Sequence, residues 1–272
     1  MGALSRVLRA QDAVPKREAE GAGMIGIVDV GGGLRGIFGA AVFDRCLDEG
    51  VAFDYVLGVS AGSGNAVAFL AGQRGRNRLF YTEYAARKEY MSLRNFVRKG
   101  SYLDLDYVYS VLSNANGENP LDYDALMANP CGLKVVATDA SDGSAVYFDG
   151  GIADPVPVER ALADGCDRVV VVLTKPRDHV RSFARDRTLY CLMKLRFPRA
   201  AEALRQRAGR YNGAVERVKR LEREGRALIV APEGVDADTL SRDRQVLEGL
   251  YDQGYRLAAR IPAFVRREVP AI

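Results

Sequence analysis

The sequence predicts an α/β fold with a mostly parallel sheet that is covered by helices. Short apolar, β-branched runs bounded by glycines alternate along the chain with segments whose apolar residues repeat at helical spacing. Strands that alternate with helices in this way form parallel sheets whose faces the helices cover. The 272 residues, 48% of them hydrophobic and 27% charged, allow a substantial core and have the composition of a globular protein.

Each predicted element has its own local signal. Residues 24–30 are a short apolar run between glycines, which predicts a buried strand, and the helix that follows ends at Gly50, a natural stop. Beyond it we predict, in order, a strand at 53–59, a helix at 62–71, an aromatic-rich helical stretch at 78–112 interrupted near Gly100, a hairpin of 132–140 with 144–148, a short helix at 158–165, a strand at 167–174, a long helical region at 188–224 and a last strand at 227–232.

No internal repeat, low-complexity tract or clean linker divides the chain. We therefore predict one domain over residues 23–272, preceded by a polar N-terminal arm at residues 1–22. The apolar runs are too short to cross a bilayer and the first residues lack the apolar core of a signal peptide, so we expect a cytoplasmic protein. The four cysteines are scattered without a CxxC or Cys/His cluster, so we expect no metal, no cofactor and no disulfide framework.

The net charge of +4 hides a strongly basic region at about residues 177–226. This region contains fifteen Lys/Arg and six Asp/Glu, with few aromatic residues among them. No nucleic-acid-binding signature accompanies the charge, so we expect no nucleic-acid partner. A solvated helical surface explains such a run most simply, and attraction to an anionic lipid surface is the alternative.

A G-x-S-x-G pattern, Gly58 to Gly62 with Ser60 at its centre, lies where a predicted strand meets a predicted helix. A serine on a sharp strand-to-helix turn is pushed out of the sheet, and the flanking glycines permit the tight backbone. Its hydroxyl then lies at a helix N-terminus, where N–H groups stabilise developing negative charge. The position favours a nucleophile, and the alternative is a simple helix N-cap.

A glycine-rich loop, Gly31 to Gly36, also follows a strand and opens a helix. Successive glycines can direct several backbone N–H groups at one point, as an oxyanion hole requires. The same string fits the G-x-G-x-x-G fingerprint of dinucleotide-binding loops, but no acidic residue ends the next strand to hold a ribose. A second match, Gly21 to Gly26, precedes its strand rather than following it, and we discard it.

A serine nucleophile needs a base, and the sequence offers two kinds. The one histidine, His179, follows a strand within the basic region, where a surface position is the simpler interpretation. Asp149 ends a predicted strand and is followed by Gly150 and Gly151, which leave room beside its carboxylate. An aspartate can accept the proton directly if its position and pKa suit, and the alternative for Asp149 is a turn or Asx cap.

Taken together, GGGLRG, GVSAG and FDGGIADPVP in this order resemble the patatin-like phospholipase family, and the later part of the chain is similar to its bacterial branch. The resemblance implies a three-layer α/β/α hydrolase that cleaves lipid or small carboxylic esters through a Ser–Asp dyad without a metal. It implies Ser60 as nucleophile and Asp149 as base. The residues that it assigns to the oxyanion hole are Gly31, Gly32, Gly33, Leu34, Arg35, Gly36 and Ala61.

One segment departs from the family pattern. Relatives carry a further stretch between the strand like KVVATDA and the strand that ends in DGG, whereas this chain has only a short SDGS turn there. The sequence therefore predicts a shortened segment before Asp149. A second function stays open on this ground, namely a catalytically impaired relative that binds acyl lipids or a membrane surface.

Overall fold

The computed structural model describes residues 23–139, 144–146, 154–234 and 239–266. The arm predicted at residues 1–22 lies outside this part of the chain. The described residues form a sheet whose strands lie in the order β4-β3-β2-β1-β5-β6. The strands are β1 (Ile25–Asp29), β2 (Tyr55–Val59), β3 (Gly132–Thr138), β4 (Ala145–Val146), β5 (Arg168–Val172) and β6 (Ala227–Val230).

Helices fill most of the connections between strands. The α-helices are α1 (Ile37–Asp48), α2 (Ala61–Leu70), α3 (Arg76–Thr82), α4 (Leu93–Lys99), α5 (Tyr123–Ala128), α6 (Val158–Ala163), α7 (Arg187–Lys194), α8 (Pro198–Arg223), α9 (Arg244–Leu257) and α10 (Ile261–Val265). Short 3₁₀ turns lie at Gly33–Gly36, Tyr84–Ala86, Phe183–Arg185 and Ala258–Arg260, and a π-helical turn lies at Tyr107–Leu112.

The sheet is parallel across five strands. β1 pairs in parallel with β2 and β5, β2 with β3, and β5 with β6, while the two-residue β4 pairs antiparallel with β3. Ile27 lies opposite Val56 on one side and Val170 on the other. The predicted α/β fold with a mostly parallel sheet is therefore confirmed.

Alternate residues of each strand enter two separate cores, one on each face of the sheet. On one face, Ile27 packs with α1, α2 and α10, and on the other face Val28 packs with α6 and α8. The helix α9 lies outside α1 and packs against it. Helices on both faces of the sheet give the three layers that the family resemblance implies.

The long helical region predicted at residues 188–224 is divided in two. α7 ends at Lys194, and α8 begins at Pro198 after a short turn. Proline is favoured at the first position of a helix because its missing N–H has no partner there in any case. The predicted aromatic-rich stretch is likewise broken into short helices, and Gly100 ends α4 with a φ of 72°.

The strand order places the carboxyl ends of β1 and β2 at a point where the connections diverge. The chain leaves β1 for β2 on one side of the sheet, and β5 lies on the other side of β1. Ligand sites of open α/β sheets lie outside the carboxyl ends of the strands at such a point. We call this side of the molecule the carboxyl edge. Within the described ranges, no helix combines the length and apolar character needed to cross a membrane.

Candidate active site

Ser60 lies on a strained turn between β2 and α2. Its φ of 54° and ψ of −124° make it the one non-glycine residue with positive φ in the described part of the chain. A non-glycine residue in such a region costs of order 1–3 kcal/mol and persists only where the surroundings enforce it. The side chain is exposed although the five residues of β2 before it are buried. The fold therefore presents this hydroxyl outward at the carboxyl edge.

The two glycines of the G-x-S-x-G pattern are required by backbone packing. A Cβ on Gly58 would lie 2.5 Å from the Cα of Ser63, which belongs to the first turn of α2. A Cβ on Gly62 would lie 2.9 Å from the carboxyl carbon of Asp29 and would also collide with the Asp29 carbonyl oxygen. Larger residues at either position would push the turn away from β1.

The glycine-rich loop is packed directly against this turn. Gly31, Gly32 and Gly33 have φ values of 60°, 126° and 62°. A Cβ on Gly31 would lie 2.7 Å from the N atom of Gly62 and 3.0 Å from that of Ala61. Only glycine permits both the conformation and the approach at this position. The loop and the serine turn therefore form one contiguous backbone surface.

The N–H groups of the loop fall into two sets. Gly31 N–H donates to Asp29 Oδ1 at 2.9 Å, and Leu34 N–H donates to the Thr239 carbonyl at 2.8 Å. The N–H groups of Gly32, Gly33 and Ala61 have no hydrogen-bond partner among the residues that the structure describes. The first set fixes the loop, and the second set is available to an oxygen atom of a ligand.

The loop is also held from two other elements. The Thr174 hydroxyl, two residues after β5, donates to the Gly31 carbonyl. The Arg35 guanidinium is buried and donates to the Thr239 hydroxyl in the loop after β6. Groups near the ends of three strands thus anchor the same few residues.

A buried polar network lies beneath the loop. Asp29, at the end of β1, is fully buried and accepts hydrogen bonds from Gly31 N–H and from the Asn65 side-chain amide, the latter at 2.8 Å. The Asn65 amide also donates to the Gly36 carbonyl at 2.8 Å, and its oxygen accepts from the Tyr81 hydroxyl at 3.1 Å. Asn65 therefore links β1, the loop, α2 and α3.

Burial raises the pKa of Asp29 from 3.8 to about 6, against the lowering effect of the hydrogen bonds from Asn65 and Gly31. The carboxylate is a better match than the carboxylic acid for two converging donors, because each of its oxygens accepts. Near neutral pH the charged form holds both donors. The loop is therefore fixed by an ionised, buried side chain.

Cationic side chains surround the outer side of the loop. Asp186 accepts two hydrogen bonds from Arg181, each of 3.0 Å, and lies 4.0 Å from the Arg207 guanidinium. Burial, followed by repulsion from Arg181, lowers the pKa of Arg207 to about 10, and Arg35 adds to the repulsion. The single carboxylate of Asp186 is thus shared by two guanidinium groups, which gives this side of the site a positive field.

Several site residues predicted from the sequence are not brought together here. Asp149, Gly150 and Gly151 lie outside the described residues, so the distance between Ser60 and Asp149 stays a prediction. His179 lies half-buried in the segment after β5, with its N–H donating to the Pro176 carbonyl at 2.9 Å. In the described ranges, no group of three or more His, Cys, Asp or Glu side chains is arranged to hold a metal ion.

Sequence reasoning missed the residues that hold the loop. Asp29 is an acidic residue inside an otherwise apolar strand, and Asn65 is an amide on the buried side of a small-residue helix. Since buried polar groups are paired, each of these residues was a signal of a partner. The two partners are 36 positions apart, and their pairing could be recognised only once the fold placed α2 against β1.

The fold and the site define an α/β protein with a serine at a nucleophile elbow and a glycine-rich loop against it. The comparisons with known proteins agree. Residues 30–131 match the family model of the patatin-like phospholipases, and residues 197–263 match a domain of unknown function, DUF6363. The resemblance predicted from the motifs is therefore confirmed, and it supports a relationship to a family of lipid hydrolases.

A curated relative is the uncharacterized protein YjjU of Escherichia coli (strain K12). The two sequences are 31% identical over 191 residues, an alignment that includes 57% of this chain and 53% of the relative. The chain thus spans about half the length of the curated relative that it matches. Since 57% of this chain is fewer than 191 residues, the alignment places gaps in this chain, which agrees with a shortened segment.

Proposed function

We propose that this protein is a serine acyl hydrolase that cleaves carboxylic esters of lipid acyl chains. The observation that carries the proposal is the strained, outward-facing Ser60 with the glycine-rich loop packed against its turn. A serine held in this conformation is free to attack a carbonyl carbon, and the adjoining N–H groups are placed where an oxyanion would develop. The match to the patatin-like phospholipases supports the same reaction class.

The proposed reaction has two halves. Ser60 Oγ attacks the ester carbonyl carbon while Asp149, assigned by resemblance, accepts the hydroxyl proton. The N–H groups of Gly32, Gly33 and Ala61 bind the oxyanion of the tetrahedral intermediate. The intermediate collapses to an acyl-enzyme when the alcohol leaves with the proton from Asp149. Water, deprotonated by Asp149, then attacks the acyl-enzyme and releases the carboxylic acid and free Ser60.

Three of the sequence-derived residues contribute position rather than a donor in this scheme. Gly31 and Leu34 spend their N–H groups on holding the loop, and Arg35 joins the loop to Thr239. Gly36 lies close to Ala61, since a Cβ on it would lie 3.0 Å from the Ala61 Cβ. We therefore assign the oxyanion hole to Gly32, Gly33 and Ala61.

A pair of serine variants tests the proposal. Ser60→Ala should abolish hydrolysis of a chromogenic short-chain ester and labelling by a serine-directed fluorophosphonate. Ser63→Ala is the matched control, because its hydroxyl lies on the next turn of the same helix, buried and without a hydrogen-bond partner in the described part of the chain. We expect the control to retain both activity and labelling. Full activity in Ser60→Ala would place the chemistry elsewhere.

The impaired lipid-binding relative is the second candidate, and the shortened segment before Asp149 favours it. This candidate predicts that Ser60 is labelled once by the fluorophosphonate without repeated turnover of an ester. Asp149→Asn would then change nothing in the rate of labelling. Multiple turnovers that are lost in Asp149→Asn would exclude it. The single domain at 23–272, the cytoplasmic location and the absence of a nucleic-acid partner stay predictions.

A further inference from the structure

Two short helices expose apolar side chains that a folded core would normally bury. On α4, the exposed fractions of Leu93, Phe96 and Val97 are 74%, 57% and 83%. On and after α7, Leu192 and Leu195 are exposed by 72% and 93%. α7 buries none of its residues. Single exposed apolar residues are ordinary on a protein surface, whereas clusters of this kind mark interaction sites.

Both helices carry basic residues and no acidic ones. Residues 93–99 contain three Lys/Arg, and residues 187–199 contain four, with no Asp or Glu in either segment. Arg94 and Arg98 on α4 are exposed, as are Lys194 and Arg196 beside the leucines of α7. Apolar side chains within a purely basic fringe fit the interface of an anionic lipid bilayer.

Contacts connect both helices to the carboxyl edge. Arg242, in the loop after β6, donates to the Met91 carbonyl at 2.6 Å and to the Tyr102 hydroxyl at 2.8 Å, and these two residues flank α4. Thr239 in the same loop bonds Leu34 of the glycine-rich loop. α7 belongs to the segment that leaves β5, whose Thr174 bonds Gly31. Each apolar helix is thus one loop away from the serine turn.

The neighbouring basic helix α8 has a different role. Its apolar residues Tyr211, Val215, Val218 and Leu221 are buried against the sheet. Its arginines are engaged in part by carboxylates, since Arg205 pairs with Glu202 and Arg217 with Glu159. The lipid interaction considered for the whole region 177–226 is therefore narrowed to α7, because most of α8 is a structural helix with a solvated outer face.

We propose that α4 and α7 form a membrane-docking surface that binds anionic lipid bilayers and brings the Ser60 turn to the ester bonds of membrane lipids. We define this surface by Leu93, Phe96, Val97, Leu192, Leu195 and the basic residues between them. The role of this surface in substrate access rests on the proposed hydrolase function. Its binding to lipid is independent of that function and is measured separately.

The experiment uses the full chain with Ser60→Ala, so that no lipid is consumed. Co-sedimentation is measured with vesicles of phosphatidylcholine alone and with vesicles that also contain phosphatidylglycerol, across a salt series. We expect binding to the anionic vesicles that weakens as salt rises, and little binding to the neutral ones. Equal binding to both, or none to either at low salt, would overturn the proposal.

Variants locate the surface. Leu192→Ser with Leu195→Ser, and Leu93→Ser with Val97→Ser, should each weaken binding to anionic vesicles about tenfold or more. Met127→Ser is the matched apolar control, because Met127 is 46% exposed on α5, which precedes the amino end of β3. If the double variants bind like this control while their thermal unfolding is unchanged, the surface is wrongly assigned.

A parallel assay separates the two proposals. The same double variants are made with Ser60 intact and tested on a water-soluble short-chain ester, whose hydrolysis needs no membrane. Unchanged hydrolysis of this ester, together with lost vesicle binding and slower hydrolysis of vesicle lipid, is the expected result. Hydrolysis of vesicle lipid at the unmodified rate by these variants would contradict the docking surface. Failure of the unmodified protein on all esters would instead contradict the hydrolase function.

Discussion

Replacing Asp29 with asparagine tests whether a buried carboxylate holds the glycine-rich loop. In the folded protein the pKa of Asp29 is raised from 3.8 to about 6 by burial, so the folded state binds this proton more tightly than the unfolded state. The contribution of Asp29 to stability is therefore fully present below about pH 4 and is lost as the pH rises through about 6. The full difference corresponds to about 3 kcal/mol.

The measurement is urea unfolding of the unmodified protein and of Asp29→Asn at pH 4.5 and pH 7.5. About 2 kcal/mol of the difference falls between these two pH values. We expect the free energy of unfolding of Asp29→Asn, relative to the unmodified protein, to rise by that amount from pH 4.5 to pH 7.5. Other titrating groups are common to both proteins and cancel. Parallel pH dependence of the two proteins would refute the buried, titrating carboxylate.

Activity tests the positioning role of the same side chain. Asparagine offers one acceptor where the carboxylate offers two, so either Gly31 N–H or the Asn65 amide loses its partner. A hydrogen bond to a charged group contributes about 1.5–3 kcal/mol. If that stabilisation is expressed in the transition state, kcat falls by roughly ten- to a hundredfold while KM changes little.

Asp44 provides the matched control for this variant. It is also buried, accepts from Gly75 N–H at 2.9 Å and from the Tyr251 hydroxyl at 2.7 Å, and has a pKa that burial raises. None of these partners belongs to the serine turn or the glycine-rich loop. Asp44→Asn should alter stability but leave kcat within a few-fold. An equal loss of kcat in both variants would indicate a general loss of packing.

Three further variants test other parts of the site. Gly31→Ala should lower kcat at least a hundredfold in a folded protein, because its Cβ would collide with the serine turn, and activity assays with circular dichroism check this. Arg207→Gln should raise KM more for an anionic ester than for a neutral ester of the same chain length, since it removes one cation from the positive side of the loop. His179→Ala should leave ester hydrolysis within a few-fold, and a loss as large as that of Ser60→Ala would restore a histidine base.

The strands and the two glycine motifs could be predicted because their signals are local. Each strand of the parallel sheet is a short apolar run, and Gly58, Gly62 and Gly31 are required by contacts of the backbone itself. Such requirements leave a pattern in the sequence that does not depend on distant residues. The serine turn was therefore predicted at the position where the structure has it.

The anchoring of the loop could not be predicted because its partners are distant in sequence. Leu34 N–H bonds the carbonyl of Thr239, about two hundred residues later. A threonine in a loop after the last strand gives no signal of this contact. The same holds for the helices at 188–224, where leucines at helical spacing occur both in exposed α7 and in buried α8. Only the packing of α8 on the sheet distinguishes Leu192 from Leu221.

The anchoring also decides between the two interpretations of G-x-G-x-x-G in this chain. A dinucleotide loop directs several N–H groups at a pyrophosphate that lies in an open crevice. Here Gly31 and Leu34 have given up their N–H groups, and Gly31 is pressed against the turn that carries Ser60. The N–H groups that remain adjoin the serine turn, where a single oxygen bonded to the attacked carbon would lie. We infer that the loop is built to bind a developing oxyanion, and a nucleotide would find its phosphate position closed by the serine turn.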